Sequence, residues 1–281
     1  MTAVNHHDCS GCSLCLLVCP VWHETRDVRL TPRGRAKAIQ HGATRQQLSA
    51  SVAGCTLCGA CEPACPEHLP LVDMLMELRR GNVFPPSKGS SVSRSGALLL
   101  AGRALHADPE RRARTLALLE GYQLAQDDGA DVVAALETGT ELATERLEAF
   151  LAPLRGARQL VVAEGLLLRA LRRWLPGVTS TGLGEALLPA VGERLKTGDL
   201  YVIETKAFNA DQARLVGRYD ALRAASGCEM NLDLQRIAIP ASGQGRWILE
   251  GRKVERIVVE DLGDRAAFSF AARPVLHLAD L

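Results

Sequence analysis

Cys9-Ser-Gly-Cys12-Ser-Leu-Cys15-Leu-Leu-Val-Cys19-Pro20 and Cys55-Thr-Leu-Cys58-Gly-Ala-Cys61-Glu-Pro-Ala-Cys65-Pro66 are two copies of one pattern, C-x-x-C-x-x-C-x-x-x-C-P. Two-residue gaps let three thiolates wrap one corner of an iron–sulfur cube, with the intervening N–H groups turned toward its sulfides. The fourth cysteine, three residues on, points away from that cube and reaches a second one. The spacing therefore implies crossed ligation of two [4Fe–4S] clusters. Cys9, Cys12, Cys15 and Cys65 hold the first, and Cys55, Cys58, Cys61 and Cys19 the second. The proline after each fourth cysteine ends the local turn and keeps the ligand out of regular helix.

Two other uses of cysteine compete. Structural zinc takes two C-x-x-C pairs across a longer loop and has no need of three cysteines at double two-residue spacing, twice. A disulfide scaffold spreads its cysteines through a short secreted chain. Here eight of nine cysteines precede residue 66, and Cys228 stands alone. Clustered cysteines in a reducing compartment point to metal or redox chemistry.

The remaining composition narrows the function by exclusion. With 47% apolar and 23% charged residues the 281-residue chain reads as globular, and its net charge of +1 gives no long-range pull toward nucleic acid or anionic membrane. Aromatics at 4% argue against a base-stacking surface. No apolar run reaches the length of a membrane span; the longest candidate, Gln159 to Leu171, is interrupted by Glu164 and Arg169. Met1–Ser10 carries histidines and an aspartate where a signal peptide places basic and then apolar residues, so a cytoplasmic location is expected.

The stretch between the cysteine runs is too long for a hairpin. Thr31-Pro32 reads as an N-cap followed by proline at the first helical position, and Arg33–Ser51 has helical composition, with Ala36, Ile39 and Leu48 as candidate inward positions. Pro70 opens another helix, with Leu71, Met74, Leu75 and Leu78 on one face and Gly81 as its stop. Cluster loops alternating with helices predict an all-helical ferredoxin module. Residues 5–80 resemble the N-terminal domain of glycolate oxidase iron–sulfur subunits, anaerobic glycerol-3-phosphate dehydrogenase small subunits and heterodisulfide reductase electron-transfer subunits. The two cysteine runs, the Thr31-Pro-Arg-Gly-Arg35 segment and the Cys58-Gly-Ala-Cys61 step carry that resemblance. It implies the α-helical ferredoxin fold in a domain spanning 1–83.

Arg26, Arg29, Arg33, Arg35 and Lys37 crowd the connector against Glu24 and Asp27. They fit either a solvated helix face or cations that raise a cluster's potential or guide a partner. His6, His7, His23 and His68 flank the runs and are expected at the surface, because eight cysteines already suffice.

Residues 84–96, Phe-Pro-Pro-Ser-Lys-Gly-Ser-Ser-Val-Ser-Arg-Ser-Gly, read as a linker. Residues 97–281 then read as a helical lead-in (Asp108–Leu119, Thr144–Leu154) followed by an α/β domain with a mainly parallel sheet. Strands are expected at Gln159–Ala163, Leu200–Glu204, Glu229–Leu234, Arg256–Glu260 and Pro274–Leu278, with helices over Leu166–Trp174 and Ala210–Ala224. Gly182-Leu-Gly184 and Gly243-Gln-Gly245 lack the third glycine of a dinucleotide loop and read as turns.

With Leu200-Tyr-Val-Ile-Glu204, Arg218-Tyr-Asp-Ala-Leu-Arg223 and Arg256-Ile-Val-Val-Glu260, this half also resembles the cysteine-rich Cys-Cys-Gly domain of glycolate oxidase iron–sulfur subunits and heterodisulfide reductase catalytic subunits, with the ligands gone. Ala241-Ser242-Gly243, Lys206–Phe208 and Asp264-Arg265 stand near the places where that family carries cysteines. One thiol cannot hold a cluster, so a metal-free structural or docking role is expected, with Cys228 as a small buried hydrophobe. No catalytic residue is assigned. The resemblance implies a non-catalytic electron-transfer subunit. It would relay single electrons from an FAD-type flavoprotein dehydrogenase of the 2-hydroxyacid or glycerol-3-phosphate kind to quinone or another carrier. Its acceptor would be a membrane- or quinone-linked subunit, so the chain could sit at the inner face of the membrane through a partner. A self-contained oxidoreductase and an iron–sulfur redox sensor are the alternatives.

Overall fold

The structure, a computed structural model, describes residues 6–80, 96–233 and 236–281. The Gly81 helix stop and all of the expected linker except Gly96 lie outside those residues.

The N-terminal part is helical. It contains α1 (Leu14–Leu17), α2 (Pro20–Thr25), α3 (Pro32–Gln40), α4 (Arg45–Ala53) and α5 (Leu71–Arg79). Thr31 caps α3 by accepting from the Gly34 N–H at 3.2 Å, with Pro32 at the first position, as its sequence predicts. The stretch of helical composition over 33–51 forms two helices. Gly42 takes a left-handed φ of +85°, and Thr44 with Gln47 forms a capping box that starts α4 anew. Ala36, Leu48, Val52, Met74 and Leu75 from α3, α4 and α5 form the core beneath the cysteine loops.

The C-terminal part is α/β from its first described residues. Its elements are β1 (Ala97–Leu100), α6 (Gly102–His106), α7 (Pro109–Leu118), β2 (Tyr122–Leu124), α8 (Ala130–Thr138), α9 (Thr144–Leu154), β3 (Gln159–Val162), α10 (Gly165–Trp174), β4 (Thr179–Gly182) and α11 (Leu183–Val191). They continue with β5 (Asp199–Val202), α12 (Thr205–Asn209), α13 (Gln212–Ser226), β6 (Glu229–Met230), α14 (Gly245–Leu249), β7 (Arg256–Val259) and β8 (Val275–His277). The expected helical lead-in therefore begins with a strand, and Ala97–Leu100 is central to its sheet.

The α/β part is built on parallel sheets, as expected, and there are two of them, both wholly parallel, in the orders β2-β1-β3-β4 and β6-β5-β7-β8. The second repeats the connectivity of the first. Their central strands are continuous apolar runs, as strands covered on both faces must be. Alternation then sorts the side chains. Leu99, Val161, Tyr201 and Val258 share one core with α11 and α13. Leu98, Leu100, Leu160 and Val162 face a second core, and Leu200, Val202, Ile257 and Val259 a third.

The two halves are packed together. Val18, Cys58 and Ala60 of the cysteine loops belong to the same core as Tyr201 and Phe208. Asn209 Nδ2 donates to the Cys58 carbonyl at 3.0 Å. The His23 ring stacks on Trp247 with centroids 3.3 Å apart. His23 is thus part of the seam rather than the free surface its sequence context suggests, whereas His7 and His68 are exposed.

Candidate iron–sulfur site

Each cysteine run coils through the same unusual backbone. Gly11 (φ +83°) and Ser13 (φ +72°) flank Cys12; Leu57 (φ +55°) and Gly59 (φ +78°) flank Cys58. Left-handed residues before and after the middle cysteine wind the chain around a point, which brings alternate thiols to one side. Glycine adopts this conformation without strain; Ser13 and Leu57 hold it at a cost of about 1–2 kcal/mol each. Glycine occupies opposite sides of the middle cysteine in the two runs, so the repeat is one of shape more than of identity.

The fourth cysteines are placed by helix starts and turns. Cys19 is the N-cap of α2, where the Trp22 and Val21 N–H groups favour its thiolate against burial. Two cavities result. One is lined by Cys9, Cys12, Cys15 and Cys65 with Arg33 and Glu67; the other by Cys19, Cys55, Cys58 and Cys61 with Arg35, Val72 and Leu75. Pro32 and Leu71 line both, so the cavities are neighbours divided by two side chains. Cys12 is exposed and Cys58 buried, which makes the first cavity the outer one.

The donor set suits an anionic cluster. Burial pushes the Cys15 thiol up to about 11 and Cys58 up to about 12, and raises Cys19 and Cys61 as well. Such thiols stay protonated until a metal displaces the proton. Groups that favour the thiolate are in place nonetheless. The Arg33 N–H serves Cys15, the Ala60 N–H and the Thr56 side chain serve Cys58, and Arg35 acts on Cys19. A lone zinc would need its thiols converged to about 2.3 Å from one point. Among the described residues, no three Cys, His, Asp or Glu side chains converge on a single ion in that way.

The C-terminal half offers no second thiol site. Cys228 is 2% exposed and its sulfur accepts from Ser226 Oγ at 3.1 Å. At the carboxyl ends of β5 and β7, where parallel sheets commonly bind ligands, carboxylates fill the space instead. Glu260 accepts from Tyr201 OH at 2.7 Å, Tyr219 OH at 2.6 Å and the Glu204 N–H at 2.8 Å. A Cβ on Gly184 would lie 2.1 Å from that carboxyl group, so Gly184 is a close-approach glycine at the start of α11 rather than a turn. Gly243 does turn, at φ +74°, but Gly245 opens the short helix α14. Lys206 and Asp264, from two of the three segments read against lost cysteines, interact here with Glu204 and Asp261.

A family model for the 4Fe–4S dicluster domain matches residues 5–69. No curated protein matches the chain, and no solved structure matches it. The N-terminal part is a helical 4Fe–4S dicluster domain, an electron-transfer module with two [4Fe–4S] clusters as its cofactors, joined to an α/β part with parallel sheets. Among the described residues no helix is long and apolar enough to cross a membrane.

Proposed function

We propose that this chain is the electron-relay subunit of an oxidoreductase complex and is not itself catalytic. The observation that carries this reading is the pair of adjoining cavities, each lined by four cysteines drawn from both runs. We assign Cys9, Cys12, Cys15 and Cys65 to the outer cluster, and Cys19, Cys55, Cys58 and Cys61 to the inner one. Bound clusters supply reversible one-electron transfer. The chain's own residues do the rest. Thiolates anchor iron, Pro32 and Leu71 separate the centres, and the core of α3, α4 and α5 excludes water from the inner one.

Leu14 and Leu17 on α1 are 44% and 61% exposed beside Cys12 and Cys15, an apolar edge suited to a partner's approach at the outer cluster. A flavoprotein dehydrogenase of the 2-hydroxyacid or glycerol-3-phosphate type suits this arrangement as donor. A reduced flavin gives two electrons that must leave singly, and two carriers side by side accept them. Quinone or another carrier takes them onward. Residues 1–83 form the relay domain and 97–281 the domain that docks it.

Anaerobically purified protein should hold about eight irons and eight sulfides per chain and show paramagnetic signals from two interacting reduced clusters. Cys12→Ser should disturb the outer cluster alone and Cys58→Ser the inner. Zinc in place of iron, or identical losses from both variants, would refute the assignment.

A further inference from the structure

Arg35 is a buried cation without an anion. Its side chain belongs to a residue only 1% exposed, yet it donates to neutral oxygens only. Nε reaches Ser51 Oγ at 2.9 Å, and Nη2 reaches the carbonyls of Leu30 at 2.6 Å and of Ser51 at 2.5 Å. Among the described residues no carboxylate pairs with it. Desolvating a charge without a partner is among the costliest arrangements a fold can hold, so something negative must complete it.

Arg79 repeats the arrangement beside it. Its guanidinium donates to the carbonyls of Val52, Cys55 and Glu137 and to no carboxylate. Arg35 lines the cavity of Cys19, Cys55, Cys58 and Cys61, and Arg79 holds the Cys55 carbonyl. A cubane with four thiolate ligands is anionic and becomes more so on reduction. The cations of the outer cavity differ in kind. Arg33 and Lys37 are only partly buried and bond to the Gly11 and Cys9 carbonyls, and Arg33 shares the cavity lining with Glu67. Solvent and salt screen such charges, whereas a fixed charge in a dry interior acts at nearly full strength.

We propose that Arg35 sets the order of the relay: its buried, unpaired charge makes the inner cluster the more easily reduced of the two. The first electron added then rests at Cys19, Cys55, Cys58 and Cys61, against the α/β half, rather than at the exposed edge. Arg35 is a positioning residue here, acting on potential across the cavity without being a ligand. The inference rests on the ligand assignment above.

The test is a redox titration of the full chain, purified without oxygen and followed by paramagnetic resonance, with Cys12→Ser identifying the outer signal. Arg35→Gln should lower the inner midpoint, shifting the first electron about tenfold toward the outer cluster, which is about 59 mV for a one-electron couple. Arg35→Lys keeps the charge and should restore the order. Ser51→Ala removes a hydrogen bond but no charge and should leave the order intact. Arg79→Gln, at a less buried position, should move the same midpoint in the same direction, and decides the matter if Arg35→Gln does not fold. An unmoved inner midpoint in Arg35→Gln or Arg79→Gln, or a shift confined to the outer one, overturns the proposal. Wild-type protein with far fewer than eight irons would overturn the ligand assignment instead.

Discussion

Replacing Arg169 with methionine keeps most of its length and removes the charge that ties α10 to the cysteine loops. Its guanidinium meets the Glu62 carboxylate at 2.5 and 2.9 Å and Asp73 at 3.5 Å. The Arg169 and Glu62 side chains are 18% and 16% exposed, so this is neither a solvated surface pair nor a sealed one. Exposed pairs contribute about 0–1 kcal/mol, and breaking a buried one costs about 3–5 kcal/mol. The geometry places Arg169→Met between them, at about 2–3 kcal/mol. Glu62 is left with the Val72 N–H as its remaining partner, immediately beside Cys61. For a chain of this size each kcal/mol moves Tm by roughly 2–4 °C, so a fall of about 4–12 °C is expected. The assay is thermal melting followed by circular dichroism, without oxygen and at one scan rate, on Arg169→Met, Glu62→Gln and the double variant. The two charges should couple by at least about 1 kcal/mol. If the double variant equals the sum of the singles to within about 0.3 kcal/mol, the pair is screened and the seam rests on apolar packing alone.

Two further outcomes test local geometry and buried charge. A Cβ at Gly34 would lie 2.0 Å from the Val28 carbonyl oxygen, so Gly34→Ala should displace α3 and abolish iron binding with every cysteine intact. Gly54→Ala, whose Cβ meets nothing nearer than 3.8 Å, should bind iron normally; equal iron in both variants would contradict the steric argument. Burial raises Glu260 to about 7 and Glu204 to about 8, above the 4.5 of a free glutamate. The folded chain therefore keeps protons that the unfolded chain has released, and stability is lost as pH rises from about 4.5 to 8. His277 acts the other way, since burial lowers it to about 4 and its contribution is lost as pH falls below its ordinary 6.5. Above pH 6.5 His277 no longer opposes the glutamates, and burial raises the neighbouring Asp261 and Asp264 in the same direction, so denaturant stability should fall between pH 6.5 and 8 and Glu204→Gln should flatten the slope. A stability that rises there in the wild type would refute the assigned burial of these carboxyls.

How much was legible in the sequence depended on how far apart the deciding residues lie. The cysteine spacing, the Thr31-Pro32 helix start and the helix after Pro70 are local, and each is present in the structure. Ala36, Ile39 and Leu48 suit one helix as well as two, so the break at Gly42 is legible only in the capping pair Thr44 and Gln47. Ala97–Leu100 does not read as a strand by itself, because four apolar residues show no period that separates strand from helix. The doubled sheet was hidden for a related reason. Parallel strands find their partners across whole helices, so no local stretch shows that the second sheet repeats the connectivity of the first.

The arginines mark the boundary most clearly. Arg26, Arg29, Arg33, Arg35 and Lys37 are one basic run on paper. Folding leaves Arg29 84% exposed on its side chain and paired with Asp27, while Arg35 is 1% exposed and unpaired. Iron-binding capacity was written in the chain, because a few residues of backbone carry each cysteine to its place. Which cation is stripped of water beside which cluster was decided by α3 packing on α4 and α5, since desolvation depends on neighbours that no local stretch contains.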